Sequence, residues 1–171
     1  MLRLALASFV TAAVLTTATH AQASSPIAYG YPYARSCPGA GIADVVDRWS
    51  MYACNCTSYV AWALVANRQR TDWFVRGAMN AWNWPHVAQL ASLPVDRVAA
   101  PGAVAVWPHL APPFGHVAYV TAVEPGGRFD VAEYNLPSFD GAETFSFDTR
   151  HGVSPSGVLF IHVPQRRSAH A

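Results

Sequence analysis

The sequence predicts an α+β fold, a single domain in which N-terminal helices pack on an antiparallel β-sheet. Three observations point there. The first half of the 171-residue chain spaces its apolar side chains as helices do. The second half breaks into short β-rich runs, and Pro and Gly clusters separate those runs. Helices followed by a meander of strands is an α+β order, not an alternation of βα units.

The chain opens MLRLALASFVTAAVLTTATHAQA. Arg3 precedes an apolar and small-residue run that ends in the small-x-small pattern Ala21-Gln22-Ala23. Residues 1–23 therefore read as a secretory signal peptide cleaved after Ala23. The apolar run from Leu4 to Leu15 falls short of the roughly 20 residues a membrane span needs. Residues 24–40, SSPIAYGYPYARSCPGA, read as an extended lead-in. Residues 41–163 have the elements of the domain itself, and 164–171, polar after Pro164, read as a flexible tail.

Within the domain, Tyr59, Val60, Ala63 and Leu64 set the stripe of a helix over Cys56 to Ala66, with Asn55 as N-cap and Asn67 as stop. A second short helix starts at Pro85, a favoured first-turn residue, and runs through HVAQLASL. The strands are expected in GAVAVW (102–107), HVAYVTAV (116–123), FDVAEY (129–134) and GVLFIHV (157–163). A turn centred on Pro125 to Gly127 pairs the middle two, with residue numbers summing to about 251.

Composition excludes some functions. Eleven Lys plus Arg, all of them Arg, face ten Asp plus Glu, for a formal net charge of +1. That balance gives no electrostatic basis for binding nucleic acid or anionic lipid. No second apolar run of spanning length follows the first, so no stable membrane association is expected after cleavage. The expected localisation is secreted or extracytoplasmic, in the periplasm or cell wall. Oligomeric state is not legible.

The chemistry candidates lie on the helix and the central hairpin. His116 falls opposite about residue 135, and Phe129, Val131, Glu133 and Asn135 share one strand face. An imidazole, a carboxylate and a carboxamide thus meet at one end of the hairpin. Cys56 begins the helix, where free backbone N–H groups and the helix dipole favour a thiolate. A Cys–His pair needs a third group to fix the ring, and Glu133 or Asn135 can supply it.

The motifs NCTSYVAW, GHVAYV and EYN, in that order, resemble the CHAP family of cysteine, histidine-dependent amidohydrolases and peptidases. DRWSMY, NAWNW, PGAVAVW and LFIHV extend the resemblance over about residues 44–163. It implies a papain-like, NlpC/P60-like fold and a hydrolase that cleaves amide or peptide bonds of peptidoglycan. The bond is that of an N-acetylmuramoyl-L-alanine amidase or of an endopeptidase. The alternative is a non-catalytic peptidoglycan-binding module on the same fold, which has no use for an intact trio. The resemblance makes Cys56 the nucleophile, His116 the base and Glu133 its orienter, with Asn135 a further polar member. Relatives carry Gln or Glu before the nucleophile, where this chain has Asn55. Asn55 and Thr57 are the candidates beside the oxyanion, and Trp73, Trp82 and Trp84 are candidates for a substrate groove or, equally, for the core. No cofactor is implied; some relatives bind Ca²⁺ through an acidic loop, and Asp44 and Asp47 are too few for one.

Cys37 and Cys54 remain. A zinc site from Cys37, Cys54, Cys56 and a His is one arrangement, although C-x-C is not the usual clip. A Cys37–Cys54 disulfide is the other, and it leaves one free thiol where catalysis wants one.

Overall fold

A computed structural model describes residues 30–37, 45–74, 80–138 and 144–166 of the chain. The signal-peptide reading of residues 1–23 lies outside these residues, as does Asp44. The helices are α1, Cys56–Ala66, and α2, Trp84–Leu90, with a 3₁₀ turn over Ala81–Asn83 leading into α2. Pro85 sits in the first turn of α2, as its sequence predicts. Asn67 ends α1, its side chain donating to the Ala63 carbonyl at 2.8 Å.

Six strands follow: β1 Val95–Asp96, β2 Val104–Trp107, β3 His116–Val123, β4 Phe129–Tyr134, β5 Phe147–Val153 and β6 Leu159–Ile161. They form one sheet in the order β1-β6-β2-β3-β4-β5, with every pairing antiparallel. Tyr119 faces Ala132 and Val120 faces Val131, the register expected from the Pro125–Gly127 turn; an irregularity before Ala122 shifts the outer pairs by one. Two strands escaped the sequence reading. β1 is too short to show a period, and β5, FDTRHGV, is a largely exposed edge strand without an apolar face.

The sheet is apolar on both sides, which is why β2 and β3 read as unbroken hydrophobic runs. One face packs Val104, Val106, Val117, Tyr119, Ala132 and Tyr134 against Tyr59, Val60, Ala63 and Leu64 of α1. The other gathers Ala105, Ala118, Val120, Phe129, Val131 and Phe160. Helix α1 is buried on nearly every side, because the lead-in covers its outer face. Residues 30–37, expected to be extended, turn instead, with Tyr33 O accepting from the Ser36 and Cys37 amides. Their anchor is Tyr31, whose hydroxyl donates to Ser58 Oγ at 2.8 Å and accepts from Cys54 N at 3.0 Å. Arg166 bonds the Gln69 carbonyl and Thr71 Oγ1, so the chain is held through residue 166; the rest of the expected tail lies outside the described residues.

Cys37 and Cys54 are joined in a disulfide with a Cα–Cα distance of 5.4 Å, both sulfurs fully buried. Of the two arrangements, the zinc site is therefore set aside, and Cys56 is the free thiol. The bridge closes the loop between the lead-in and the start of α1. Cys37→Ser is expected to lower unfolding free energy by about 3 kcal/mol. Denaturant titration of the oxidised wild type against this variant checks it; equal stabilities contradict it.

Candidate active site

Cys56 is the first residue of α1 and His116 the first of β3, so helix start and sheet end meet at one place. They share a cleft of about 490 Å³ with Tyr52, Asn55, Thr57, Phe114 and Asn135. A larger recess, about 1030 Å³, is lined by Arg68, Tyr119 and His162 and has no cysteine among its lining residues.

His116 and Glu133 are almost completely buried, at 1% and 0% exposure. The imidazole Nε2 bonds Glu133 Oε2 at 2.7 Å. That contact leaves Nδ1 as the nitrogen for the Cys56 thiol, a cleft neighbour whose charge acts on the ring. Burial alone would depress the imidazole pKa. The charge and hydrogen bond of Cys56, with those of Glu133, outweigh it and push His116 up to about 9. Burial likewise works against the Glu133 carboxylate, but hydrogen bonds and charge from His116 and Arg150 hold it below the usual carboxylate range.

Arg150 was not anticipated. From the edge strand β5 it stands opposite Val131, and so reaches diagonally along the same face to Glu133. Its Nε bonds Oε1 and its Nη2 bonds Oε2 at 2.9 Å. The guanidinium carbon also lies 4.8 Å over the ring of Trp107, which is the cross-strand partner of His116. Sequence carried no signal for this contact, because β5 lacks the alternation that would have placed Arg150 on a sheet face.

The remaining candidates divide. Asn55 occupies the N-cap position but makes no side-chain cap bond; its Oδ1 accepts from Asn135 Nδ2 at 2.8 Å. Asn135 lies beyond the end of β4 with φ of 51°, so the strict alternation that placed it on the Glu133 face stops one residue short. Its Oδ1 accepts from the Thr144 and Phe145 amides at 2.8 and 2.9 Å, tying the β4–β5 connection to the cleft. Thr57 lines the cleft and is nearly buried. Trp84 does not line a groove. It is fully buried, edge to face with Trp73 at 5.4 Å and tilted against Phe74 at 4.8 Å. Trp82 is half exposed, and its amide bonds the Phe114 carbonyl beside the cleft.

The turn before His116 depends on Gly115. Its φ is +74°, and a Cβ there would lie 2.5 Å from Trp82 N and 2.9 Å from Trp82 Cα, both backbone atoms that cannot step aside. Gly115→Ala is expected to lower both the melting temperature and kcat/KM. Gly127→Ala, also at positive φ (+81°) but with nothing within 4 Å of the added carbon, isolates the backbone strain. Equal effects from the two variants would contradict this account of the turn.

The described residues include no group of three or more His, Cys, Asp or Glu placed to hold a metal ion. Asp47 Oδ1 instead accepts from the Trp49 and Met51 amides. Nor is any helix among them long and apolar enough to cross a membrane.

With this geometry in place, residues 46–135 match the family model of the CHAP domain. The chain belongs to the CHAP domain family. A probable autolysin of Staphylococcus aureus is 33% identical over 119 residues, 70% of this chain and 39% of that protein. The CHAP chain also resembles the crystal structure of an N-acetylmuramoyl-L-alanine amidase from Staphylococcus aureus. The TM-score is 0.51 at 22% identity, over 64% of this chain and 30% of the other. This second likeness speaks for the α+β fold. The chain spans well under half the length of both proteins.

Proposed function

We propose that this CHAP protein hydrolyses amide or peptide bonds of peptidoglycan, with Cys56 as nucleophile, His116 as general base and Glu133 as the residue that orients the ring. The observation that carries the reading is the pairing of the one free cysteine with a buried His–Glu pair in an open cleft. A carboxylate behind the ring stabilises a thiolate–imidazolium pair, and Glu133 stands there. The autolysin and amidase named above act as its external support.

In this mechanism the thiol proton has passed to His116 Nδ1, and the thiolate sulfur attacks the carbonyl carbon. The carbonyl π pair moves onto oxygen. The backbone N–H at the start of α1 and the Asn55 amide, braced by Asn135, stabilise that oxyanion. Collapse breaks the C–N bond, and the amine leaves with the proton returned by His116. Water, deprotonated by the same ring, then cleaves the thioester and releases the thiol.

Export is part of the proposal. The Arg3-led apolar run is that of a signal peptide, and a buried disulfide suits an oxidising compartment.

Digestion of purified peptidoglycan, followed by mass spectrometry of the soluble products, tests the activity. New amino groups on released stem peptides, with unmodified sugars, are expected. Their position separates amidase from endopeptidase cleavage. Cleaved glycosidic bonds, or no soluble product, would overturn the reading.

A further inference from the structure

Beyond the trio, we propose that Arg150 is a positioning residue of the catalytic site, locking Glu133 so that its remaining lone pair meets His116, with Trp107 bracing the guanidinium from behind. The inference rests on the function proposed above. Glu133 is wholly inside the protein, and a lone carboxylate there is costly unless a cation and hydrogen bonds accompany it. His116 supplies only one bond, to Oε2. Arg150 supplies two, one to each oxygen, in the planar fork that matches a carboxylate. A carboxylate gripped at both oxygens cannot rotate about its terminal torsion, so the lone pair on Oε2 stays aimed at the imidazole.

Trp107 completes the clamp. Its ring lies under the guanidinium at 4.8 Å and beside the imidazole at 5.9 Å, so it packs against both ends of the His–Glu–Arg chain. Arg150 itself is only partly exposed, at 28% of its side chain, while the carboxylate its guanidinium bonds is wholly buried.

Charge gives the proposal a sign. Around the His116–Glu133 pair stand Cys56 and the Tyr59 phenol from α1, and Arg150 and Asp148 from β5; Asp148 is exposed, opposite Glu133. Arg150 is the fixed cation of this set. Removing it takes one positive charge from beside every titrating group, so protons bind more tightly to each. Both limbs of the kcat/KM profile then move to higher pH. Replacing it by Lys keeps the charge but offers a point in place of the fork, so the limbs stay while the rate falls.

The test compares wild type, Arg150→Gln and Arg150→Lys, first by thermal melting to establish folding, then by pH–rate profiles on solubilised peptidoglycan. Arg150→Gln is expected to lose on the order of ten- to a hundredfold in kcat, with KM nearly unchanged, and to shift both limbs upward. Arg150→Lys is expected to lose rate without the shift. NMR titration of the His116 ring protons, which needs no substrate, provides the second readout. It is expected to move upward in Arg150→Gln and to hold in Arg150→Lys. If the wild type hydrolyses nothing, the proposed function fails, and the ring titration alone decides the role of Arg150. A folded Arg150→Gln with wild-type kcat, limbs and ring titration would overturn the inference. So would identical limbs and titrations in Arg150→Gln and Arg150→Lys, because they would leave only a structural role.

Discussion

Cys56→Ser is expected to fold normally and to lose at least about a thousandfold in hydrolysis. The side chain is of similar size, and Cys56 is half-buried at the cleft, so packing changes little. The hydroxyl is a far weaker nucleophile at neutral pH, and the ring gains no thiolate partner. Cys54→Ser, two residues away, breaks the bridge to Cys37 but leaves the thiol that faces His116. It should be less stable and still active. Assays at a temperature where both variants are folded check this. An active Cys56→Ser with a dead Cys54→Ser would reverse the two thiols.

Glu133→Gln should be the next most damaging change, costing roughly a hundredfold or more in kcat/KM. Burial lowers the affinity of His116 for its proton, and the Cys56 and Glu133 interactions raise it to about 9. Removing the carboxylate charge therefore brings the ring down, and the alkaline limb, where imidazolium loses its proton, moves to lower pH. The direction is opposite to that expected when Arg150 is removed, so the pair of profiles checks the sign of each charge. Gln also leaves the Arg150 fork without its counter-charge, so some stability goes too. Asn135→Ala has a different signature. It frees the Thr144 and Phe145 amides and Asn55, and so should lower stability by about 1–3 kcal/mol and weaken the oxyanion site, with the limbs in place. If Asn135→Ala shifts the limbs and Glu133→Gln is nearly silent, the orienter is Asn135.

What the sequence made legible follows from how local each signal is. Helix α1 came out at Cys56–Ala66 because its stripe, its small N-terminal residues and Asn67 all lie within a few residues of each other. The β3–β4 register was equally local, since one Pro-Gly-Gly turn fixes which residues face each other. Through it the sequence alone brings His116 and Glu133 together. Arg150 could not be placed this way, because its partner lies on another strand and its own strand is an exposed edge whose side chains face water on one side. Trp84 stayed open between groove and core for a related reason. A tryptophan beside a Pro-led helix looks alike whether it faces a groove or the core, and only long-range packing against Trp73 and Phe74 decided it. The lead-in likewise needed a distant partner: nothing local to SSPIAYGYPYARSC shows that Tyr31 will bond Ser58 and Cys54.

The central claim is that the single free thiol is the nucleophile, and one alkylation experiment addresses it directly. Non-reduced protein treated with one equivalent of iodoacetamide should take up a single carboxamidomethyl group, mapped by peptide mass spectrometry to Cys56, while Cys37 and Cys54 stay joined. Hydrolysis of peptidoglycan should fall in proportion to the fraction modified, reaching zero at full occupancy. Complete modification of Cys56 with hydrolysis intact would contradict the account.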